Sequence, residues 1–171
     1  MAYHLNRQTS KKTKQSPIMK KFILLISFIF AGCLIQMLAA QDMSTSMISV
    51  LEEGNTRLQR IENNSDNSVV HIEFEFMKDN GYYGMVYQRL YSHHTYKIVA
   101  FGDPERFSDL DLYVDQLVDD EWKEIEGDTS ASKDGLVTFK PAATEFYRLR
   151  IYGKKLLSDY TSGYYGIIIY Y

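Results

Sequence analysis

Alternating hydrophobic and polar positions dominate the chain after residue 68. Between residues 70 and 76, apolar side chains occupy the even positions and polar ones the odd positions, which is the period of a half-buried β-strand. A second strand follows, and six further segments have strand character: 95–102, 109–114, 121–125, 135–140, 145–153 and 163–171. Eight short strands with little helix among them predict an all-β fold for residues 68–171, an antiparallel sandwich or barrel.

Two local patterns refine this prediction. Asn80-Gly81 stands between the first two strands, and this dipeptide is a strong signal for a two-residue hairpin turn. The segment "GIIIYY" at 166–171 is almost entirely apolar. It therefore predicts a central strand that is packed on both sides or ends in the core.

Residues 43–62 have a helical period instead. Met47, Leu51, Leu58 and Ile61 recur at helical spacing, so one amphipathic helix is predicted, followed by a polar linker that completes the segment 41–67. Such a helix either folds back and covers a sheet edge or serves as a partner-binding or dimerisation helix.

Charge is unevenly distributed. Residues 1–40 hold six basic residues and no acid, which leaves 13 basic and 22 acidic residues, a formal net charge of −9, in the rest. The basic pair after Met19, the apolar run 22–38 and the small residues ending at Ala40 have the order of a secretory signal peptide. Residues 1–18 are then either an extension ahead of a natural start at Met19 or a long basic region, and a membrane anchor is the alternative for the apolar run.

The single cysteine lies in the same segment. Cys33 in "FAGC" resembles the acylation box of a bacterial lipoprotein, although Phe30 stands where such boxes prefer leucine. Cleavage at Ala40 would leave no cysteine and no membrane span, and the product would be secreted or periplasmic. Acylation at Cys33 would instead anchor it at the envelope. The acidic remainder argues against nucleic acid as a partner.

Acidic side chains are concentrated in "FSDLDLYVDQLVDD" at 107–120. Asp109, Asp111 and Asp115 share one side of the strand, and leucine and valine occupy the other. Such carboxylates form either a solvated or hydrogen-bonding strand face, or a Ca²⁺ site. The candidate metal ligands are Asp109 and Asp111 with Asp103 from the preceding loop. A catalytic carboxylate pair is a third reading.

Aromatic residues near turns are the candidate ligand-binding positions. Tyr82, Tyr83 and Trp122 could stack on a sugar or dock on a peptide, or they could close the ends of the core. His93-His94 predicts a turn with exposed imidazoles, because neighbouring residues in an extended chain point to opposite sides and bind one metal poorly. The sequence has no nucleophile motif and no nucleotide-binding loop, so an enzyme is not expected.

Four motifs resemble, in order and spacing, the bacterial pre-peptidase C-terminal domain family over roughly residues 84–171. They are "TYKIVAFGD", "SDLDLYV", "DGLVTFKPAATEFYRLRIYG" and "SGYYGIIIYY". The matching positions are Tyr96 and Ile98; Asp109, Leu110, Asp111, Leu112 and Tyr113; Val137, Phe139 and Pro141; Tyr147, Leu149 and Ile151; and Gly166, Ile167 and Ile169. The chain departs from the family at Ser92-His93-His94, where the family favours alanine and glycine.

The resemblance implies a non-catalytic jelly-roll β-sandwich of the kind attached to exported peptidases, with collagen-binding relatives of which some bind calcium. The sequence therefore predicts an exported binding or accessory module for extracellular protein or polysaccharide, with Ca²⁺ as a stabilising ion in one reading. The alternative is a structural or chaperone-like assembly protein of the bacterial envelope.

Overall fold

The computed structural model describes residues 42–64, 66–78, 83–157 and 160–171. The predicted signal segment, Cys33, the Asn80-Gly81 turn and Tyr82 lie outside these ranges. In the described ranges, one helix, α1 at residues 42–62, is followed by eight strands. The strands are β1 Val69–Lys78, β2 Tyr83–Leu90, β3 Tyr96–Gly102, β4 Phe107–Val118, β5 Glu121–Asp128, β6 Asp134–Phe139, β7 Glu145–Leu156 and β8 Ser162–Tyr170.

The strands form two four-stranded antiparallel sheets, which confirms the predicted all-β sandwich. One sheet has the order β1-β8-β3-β6 and is called the covered sheet, and the other has the order β2-β7-β4-β5 and is called the open sheet. β4 pairs with β5, β3 with β6, β2 with β7 and β1 with β8. This nesting of strand pairs around the β4–β5 connection is the jelly-roll arrangement.

The predicted hairpin between the first two strands is wrong. β1 pairs with β8 and β2 pairs with β7, so the two strands belong to different sheets. The physical reason lies in β8, whose isoleucines are buried on both faces. That strand needs a neighbour at each side, and β1 and β3 fill the two places. A turn signal in the sequence does not decide which strands pair across it.

A hairpin that was not predicted joins β4 to β5. Asp119 and Asp120 are the two connecting residues, and both have positive φ, 53° and 62°. Two successive residues in this left-handed region form a type I′ turn, which matches the twist of the flanking strands, and aspartate tolerates the conformation better than most residues. The acidic end of "FSDLDLYVDQLVDD" therefore makes a chain reversal.

The main core lies between the two sheets. It contains Leu110, Leu112 and Val114 of β4 and the alternate residues Ile167 and Ile169 of β8. Ile168 points to the opposite side of β8, into a second cluster beneath the helix. The prediction of a central strand packed on both sides is thereby confirmed for "GIIIYY".

Helix α1 covers the outer face of the covered sheet. Val50 and Ile61 pack there against Phe101 and Ile168. Gly54 permits the close approach, because a Cβ at this position would lie 2.6 Å from the ring of Phe74. The expectation that the helix covers a sheet edge is wrong. The helix covers a face instead, because the apolar residues Phe101 and Ile168 on that face would otherwise be exposed to water. Within the described residues no helix has both the length and the apolar character needed to cross a membrane.

The N-terminal end of α1 is held by a buried arginine. Arg106 lies in the turn between β3 and β4, and its Nη2 atom is 2.6 Å from Asp42 Oδ2. The same side chain donates a hydrogen bond to the Ser162 carbonyl at 3.0 Å and lies over the ring of Tyr160. Met47 and Leu51, which were expected on the buried side of the helix, are exposed.

Candidate functional site

The outer face of the open sheet is called the open face and carries long aromatic and charged side chains. β2 contributes Tyr83, Met85 and Tyr87, and β7 contributes Arg148, Arg150 and Tyr152, which lie opposite them in register. β4 adds Asp111, Tyr113 and Asp115, and β5 adds Trp122 and Glu124. On β2, β4 and β7 these residues alternate with core residues, and on β5 the pairing of Glu124 with Asp115 places Trp122 and Glu124 on the same side.

Asp115 holds the two arginines of this face. Its side chain is 0% exposed and accepts hydrogen bonds from Arg148 Nε at 2.7 Å, Arg150 Nε at 2.7 Å and Arg150 Nη2 at 3.0 Å. The hydrogen bonds to Asp115 raise the pKa of Arg150 above its ordinary value despite partial burial. Glu124 accepts a further bond from Arg150 at 2.9 Å. A buried carboxylate that accepts three charge-assisted hydrogen bonds fixes both guanidinium groups in place.

Aromatic rings lie on both arginines. The Arg148 guanidinium is 5.0 Å from the Trp122 ring centre, and that of Arg150 is 5.0 Å from Tyr83 and 4.7 Å from Tyr113. Arginine stacks on aromatic rings better than lysine does, because its charged guanidinium group is planar.

The rings also contact each other. Tyr83 stacks on Tyr152 with 4.9 Å between ring centres, and Tyr87 meets Trp122 edge to face at 5.6 Å. Tyr87 is nevertheless 53% exposed. The open face is therefore a preorganised array of planar groups with rings accessible to solvent.

Asp111 occupies the other end of the open face. The Tyr113 hydroxyl donates to Asp111 Oδ2 at 2.9 Å, and Lys154 Nζ lies 3.6 Å from the same oxygen. Burial, followed by the hydrogen bond to Asp111, raises the pKa of Tyr113. The Oδ1 atoms of Asp109 and Asp111 are buried without a hydrogen-bond partner in the described structure.

Of the readings for this acidic strand, the hydrogen-bonding face describes Asp111 and Asp115, and the solvated face is wrong for both. They are 1% and 0% exposed, respectively. The cause is their bonded partners: Arg148 and Arg150 of β7 bond to Asp115, and Tyr113 and Lys154 lie against Asp111. Alternation along one strand shows which residues share a face, but it does not show what covers that face.

The three candidate metal ligands are used differently. Asp103 lies in the turn after β3, where its carboxylate is 3.3 Å from Arg106 Nε and accepts the Glu105 amide at 3.0 Å. Asp109 and Asp111 lie on β4. Among the described residues, no group of three or more His, Cys, Asp or Glu side chains is placed to hold a metal ion. Asp103 is thus committed to an ion pair with Arg106.

Two of the three candidate ligand-binding residues lie on the open face. Tyr83 and Trp122 are on its opposite edge strands, β2 and β5, and each contacts one of the two arginines. Tyr82 is outside the described residues. Sequence reasoning missed Tyr87, Arg148 and Arg150. The alternation in "EFYRLRIYG" already places both arginines on one face. Pairing them with Asp115, however, requires the register of β7 on β4.

A second aromatic group surrounds the two adjacent histidines. The ring centres of His93 and His94 are 4.0 Å apart, and His94 stacks on Tyr171 at 3.6 Å. Burial and the neighbouring His93 lower the pKa of His94. The predicted turn is confirmed at residues 92–94, where His93 is exposed and His94 is half-buried, and the two rings lie side by side because the chain is not extended here. With Tyr91 and Tyr96 they line a cavity of about 340 Å³.

The fold and the open face together define a jelly-roll sandwich with an arginine–aromatic surface. No protein-family model matches the chain, and a search of curated proteins finds no match.

Proposed function

We propose that the protein is an exported, non-catalytic binding or accessory module, and that its open face binds an extracellular protein or polysaccharide. The observation that carries this proposal is the fixation of Arg148 and Arg150 by the buried Asp115 beside exposed rings. Tyrosine and tryptophan offer large contact area with few rotatable bonds. Side chains that are already ordered lose little conformational freedom when a ligand binds.

The chemistry of the open face supports binding more than catalysis. Asp115 and Glu124 are paired with arginine, and Asp111 is paired with Lys154 and Tyr113. Carboxylates held in this way already serve as hydrogen-bond acceptors for neighbouring side chains. A general acid or base would need a perturbed carboxyl group directed towards a cleft.

Export and family membership are part of the same proposal. The basic, apolar and small-residue order of residues 19–40 supports export, with lipid anchoring at Cys33 as the alternative. The order of the motifs between residues 84 and 171 supports a relationship to the pre-peptidase C-terminal domain family. The jelly-roll architecture is compatible with that relationship, and many unrelated proteins share it.

Calcium is a second component of the proposal, restricted to β4. The two unpartnered Oδ1 atoms of Asp109 and Asp111 favour a hard cation, which prefers carboxylate oxygens. A bound ion would raise the thermal midpoint by mass action, and a chelator would lower it again. The Asp111→Asn variant should lose this response. If Ca²⁺ leaves the midpoint of the wild type unchanged, the calcium component of the proposal fails.

An assembly role in the envelope is the second candidate function. It is favoured by Met47, Ile48 and Leu51, which are exposed apolar residues on the solvent side of α1. Co-purification of a partner that is lost in Ile48→Ser, with unchanged stability, would support it over binding at the open face.

A glycan array and an extracellular-protein array, both probed with the full chain, test the main proposal. Tyr87→Ala and Trp122→Ala should each weaken binding by about tenfold or more, as central aromatic contacts usually do. Leu136→Ala is the matched control, because Leu136 is 53% exposed but lies on the edge strand β6 of the covered sheet. Equal binding by the wild type and all three variants would place the ligand elsewhere and overturn the proposal.

A further inference from the structure

The sandwich has four edge strands. β1 and β6 border the covered sheet, and β2 and β5 border the open sheet. An edge strand presents backbone N–H and C=O groups that can pair with another chain. Proteins usually block such pairing with charges, bulges, short strands or side-chain caps.

Three of these edges carry such devices. β5 has four charged residues within its first six positions and a bulge at Ile125. β1 has a bulge at Val70 and glutamates at Glu73 and Glu75. β6 has only six residues, and its Leu136 amide is capped by Asp128 Oδ2 at 2.9 Å. Each device makes pairing with a further strand less favourable.

β2 is the least protected of the four, because its only charged residue is Arg89 and its only capped backbone group in the described structure is the Arg89 carbonyl near its end. Its eight residues, "YGMVYQRL", pair with β7 in one regular register without a bulge, and they include neither proline nor acid. The Arg89 carbonyl accepts a bond from Gln88 Nε2, and the Tyr91 amide donates to Tyr96 Oη. Because both backbone groups bond to side chains, we infer that the backbone groups of these odd-numbered residues are directed away from β7. Because backbone direction alternates along a strand, the free groups of β2 belong to the odd-numbered residues Tyr83, Met85 and Tyr87.

Two arginines give this edge a preference for negative charge. Arg89 is exposed, lies over the Tyr91 ring and has no carboxylate partner among the described residues. Arg148 is opposite Tyr87, and only its Nε atom bonds to Asp115, so its terminal nitrogens are unused within the described structure. An acidic side chain next to this end of β2 would find donors ready to bind it.

We propose that β2 takes up an extended segment of a partner protein as a fifth strand of the open sheet. Backbone bonds to Tyr83, Met85 and Tyr87 hold the segment. Its side chains on the open face are apolar beside Met85 and Tyr87, and acidic beside Arg89. This inference rests on the proposed function, because it names the partner of the open face as a protein strand. β-Strand addition of this kind takes affinity from the main chain and specificity from alternate side chains.

A second copy of this chain is a poorer occupant. β2 contains no acid, so pairing two copies of β2 would leave Arg89 without a carboxylate in either copy. An acidic, extended segment from another protein meets both requirements of the edge.

The test uses the full chain and blocked eight-residue peptides that alternate valine and threonine. One peptide carries glutamate at the position that would meet Arg89, a second carries lysine there, and a third carries the glutamate with N-methyl groups on the amides that would face β2. We expect the glutamate peptide to bind and to slow hydrogen exchange of the β2 amides. The lysine and N-methylated peptides should bind about tenfold more weakly or worse.

Protein variants provide the complementary arm. Met85→Pro removes one outward amide while sparing the ladder to β7, and an edge strand tolerates proline at such a position. Met85→Ala keeps the amide and is the control. Binding should fall about tenfold in Met85→Pro and change less than about threefold in Met85→Ala, with circular dichroism and the thermal midpoint checking the fold.

The remaining outcomes separate this inference from the proposed function. Equal binding of the N-methylated and unmodified peptides would overturn strand addition but leave the open face as a binding surface. Binding of glycans and of no peptide would overturn the inference alone. A dimer that Met85→Pro converts to monomer would also overturn it, in favour of a second copy. If neither peptides nor array ligands bind at the open face, both proposals fail.

Discussion

The two outer faces of the sandwich are covered in different ways. On the covered sheet, Phe101 and Ile168 make an apolar surface that lies under helix α1. On the open sheet, Asp115 and Asp111 are equally buried, but the cover consists of side chains of the same sheet. An apolar face needs a separate element to exclude water. A polar face whose charges neutralise one another covers itself and leaves its outermost rings free for another molecule.

The largest loss of stability is expected from a substitution that opens the apolar face. Phe101→Ala removes a fully buried ring that contacts Phe74 and supports Arg57, and it leaves a cavity under α1. We expect a loss of about 3–5 kcal/mol in the free energy of unfolding. Urea denaturation measures it, with Leu136→Ala as an exposed control that changes by less than about 0.5 kcal/mol. Equal effects of the two variants would mean that the helix adds little to the fold.

Asp115→Asn disrupts the ion pairs at the centre of the polar face. The asparagine keeps the shape and one acceptor, but Arg148 and Arg150 lose the charge that fixes them. We expect a loss of about 2–4 kcal/mol, somewhat below the usual cost for a buried ion pair because the guanidinium groups reach solvent. Denaturation measures the loss, and the array experiment should show weaker binding in the same variant. Unchanged stability would contradict the view that this face covers itself through Asp115.

Tyr113→Phe is a smaller change to the same face. It removes the hydroxyl that bonds to Asp111 and should cost about 1–2 kcal/mol at neutral pH. The folded-state pKa of Tyr113 is raised, so its neutral form is favoured by folding. The contribution of this pKa difference to the free energy of unfolding is complete below the unfolded-state pKa of about 10. It is lost as the pH rises above that pKa. The difference between wild type and variant should therefore shrink in alkaline denaturation series, and a constant difference would contradict the hydrogen bond as its source.

The smallest effect is expected where the covered face carries its own arginine. Arg57 on α1 bonds to Asp134 at 2.8 Å, but both side chains are partly open to water. Asp134→Asn should cost less than about 1 kcal/mol, and the cost should decline in high salt. Compared with Asp115→Asn, this variant measures what burial adds to the same chemical pair. Similar losses for both would remove the distinction between the two faces.

The sequence was sufficient for the fold class because alternation along each strand reports burial directly. It was not sufficient for the connections. Asn80-Gly81 carried the stronger hairpin signal, yet β1 and β2 lie in different sheets, and the unremarked Asp119-Asp120 makes the two-residue turn. Strand pairing is decided by the partners that β8 and β7 need, and these lie far along the chain.

The candidate site was predicted only in part, because some of its contacts also join residues that are far apart in the chain. Tyr83 and Trp122 were named because they lie near turns, and both lie on the open face. Arg148 and Arg150 were missed, since their common partner Asp115 is 33 and 35 residues away, respectively. Asp103 was grouped with Asp109 by proximity in sequence, but its carboxylate is taken by Arg106.

The nested pairing of the strands has a consequence for the order in which the chain can fold. β4 and β5 meet across two residues, whereas Val69 of β1 pairs with Tyr170 of β8. Because shorter connections close at lower entropic cost, we expect pairing to begin at the Asp119-Asp120 turn and to proceed outwards through β3–β6 and β2–β7, with β1–β8 last. During synthesis from the N-terminus, β1 therefore has no strand partner until β8 has left the ribosome, and the complete sandwich forms only after that point.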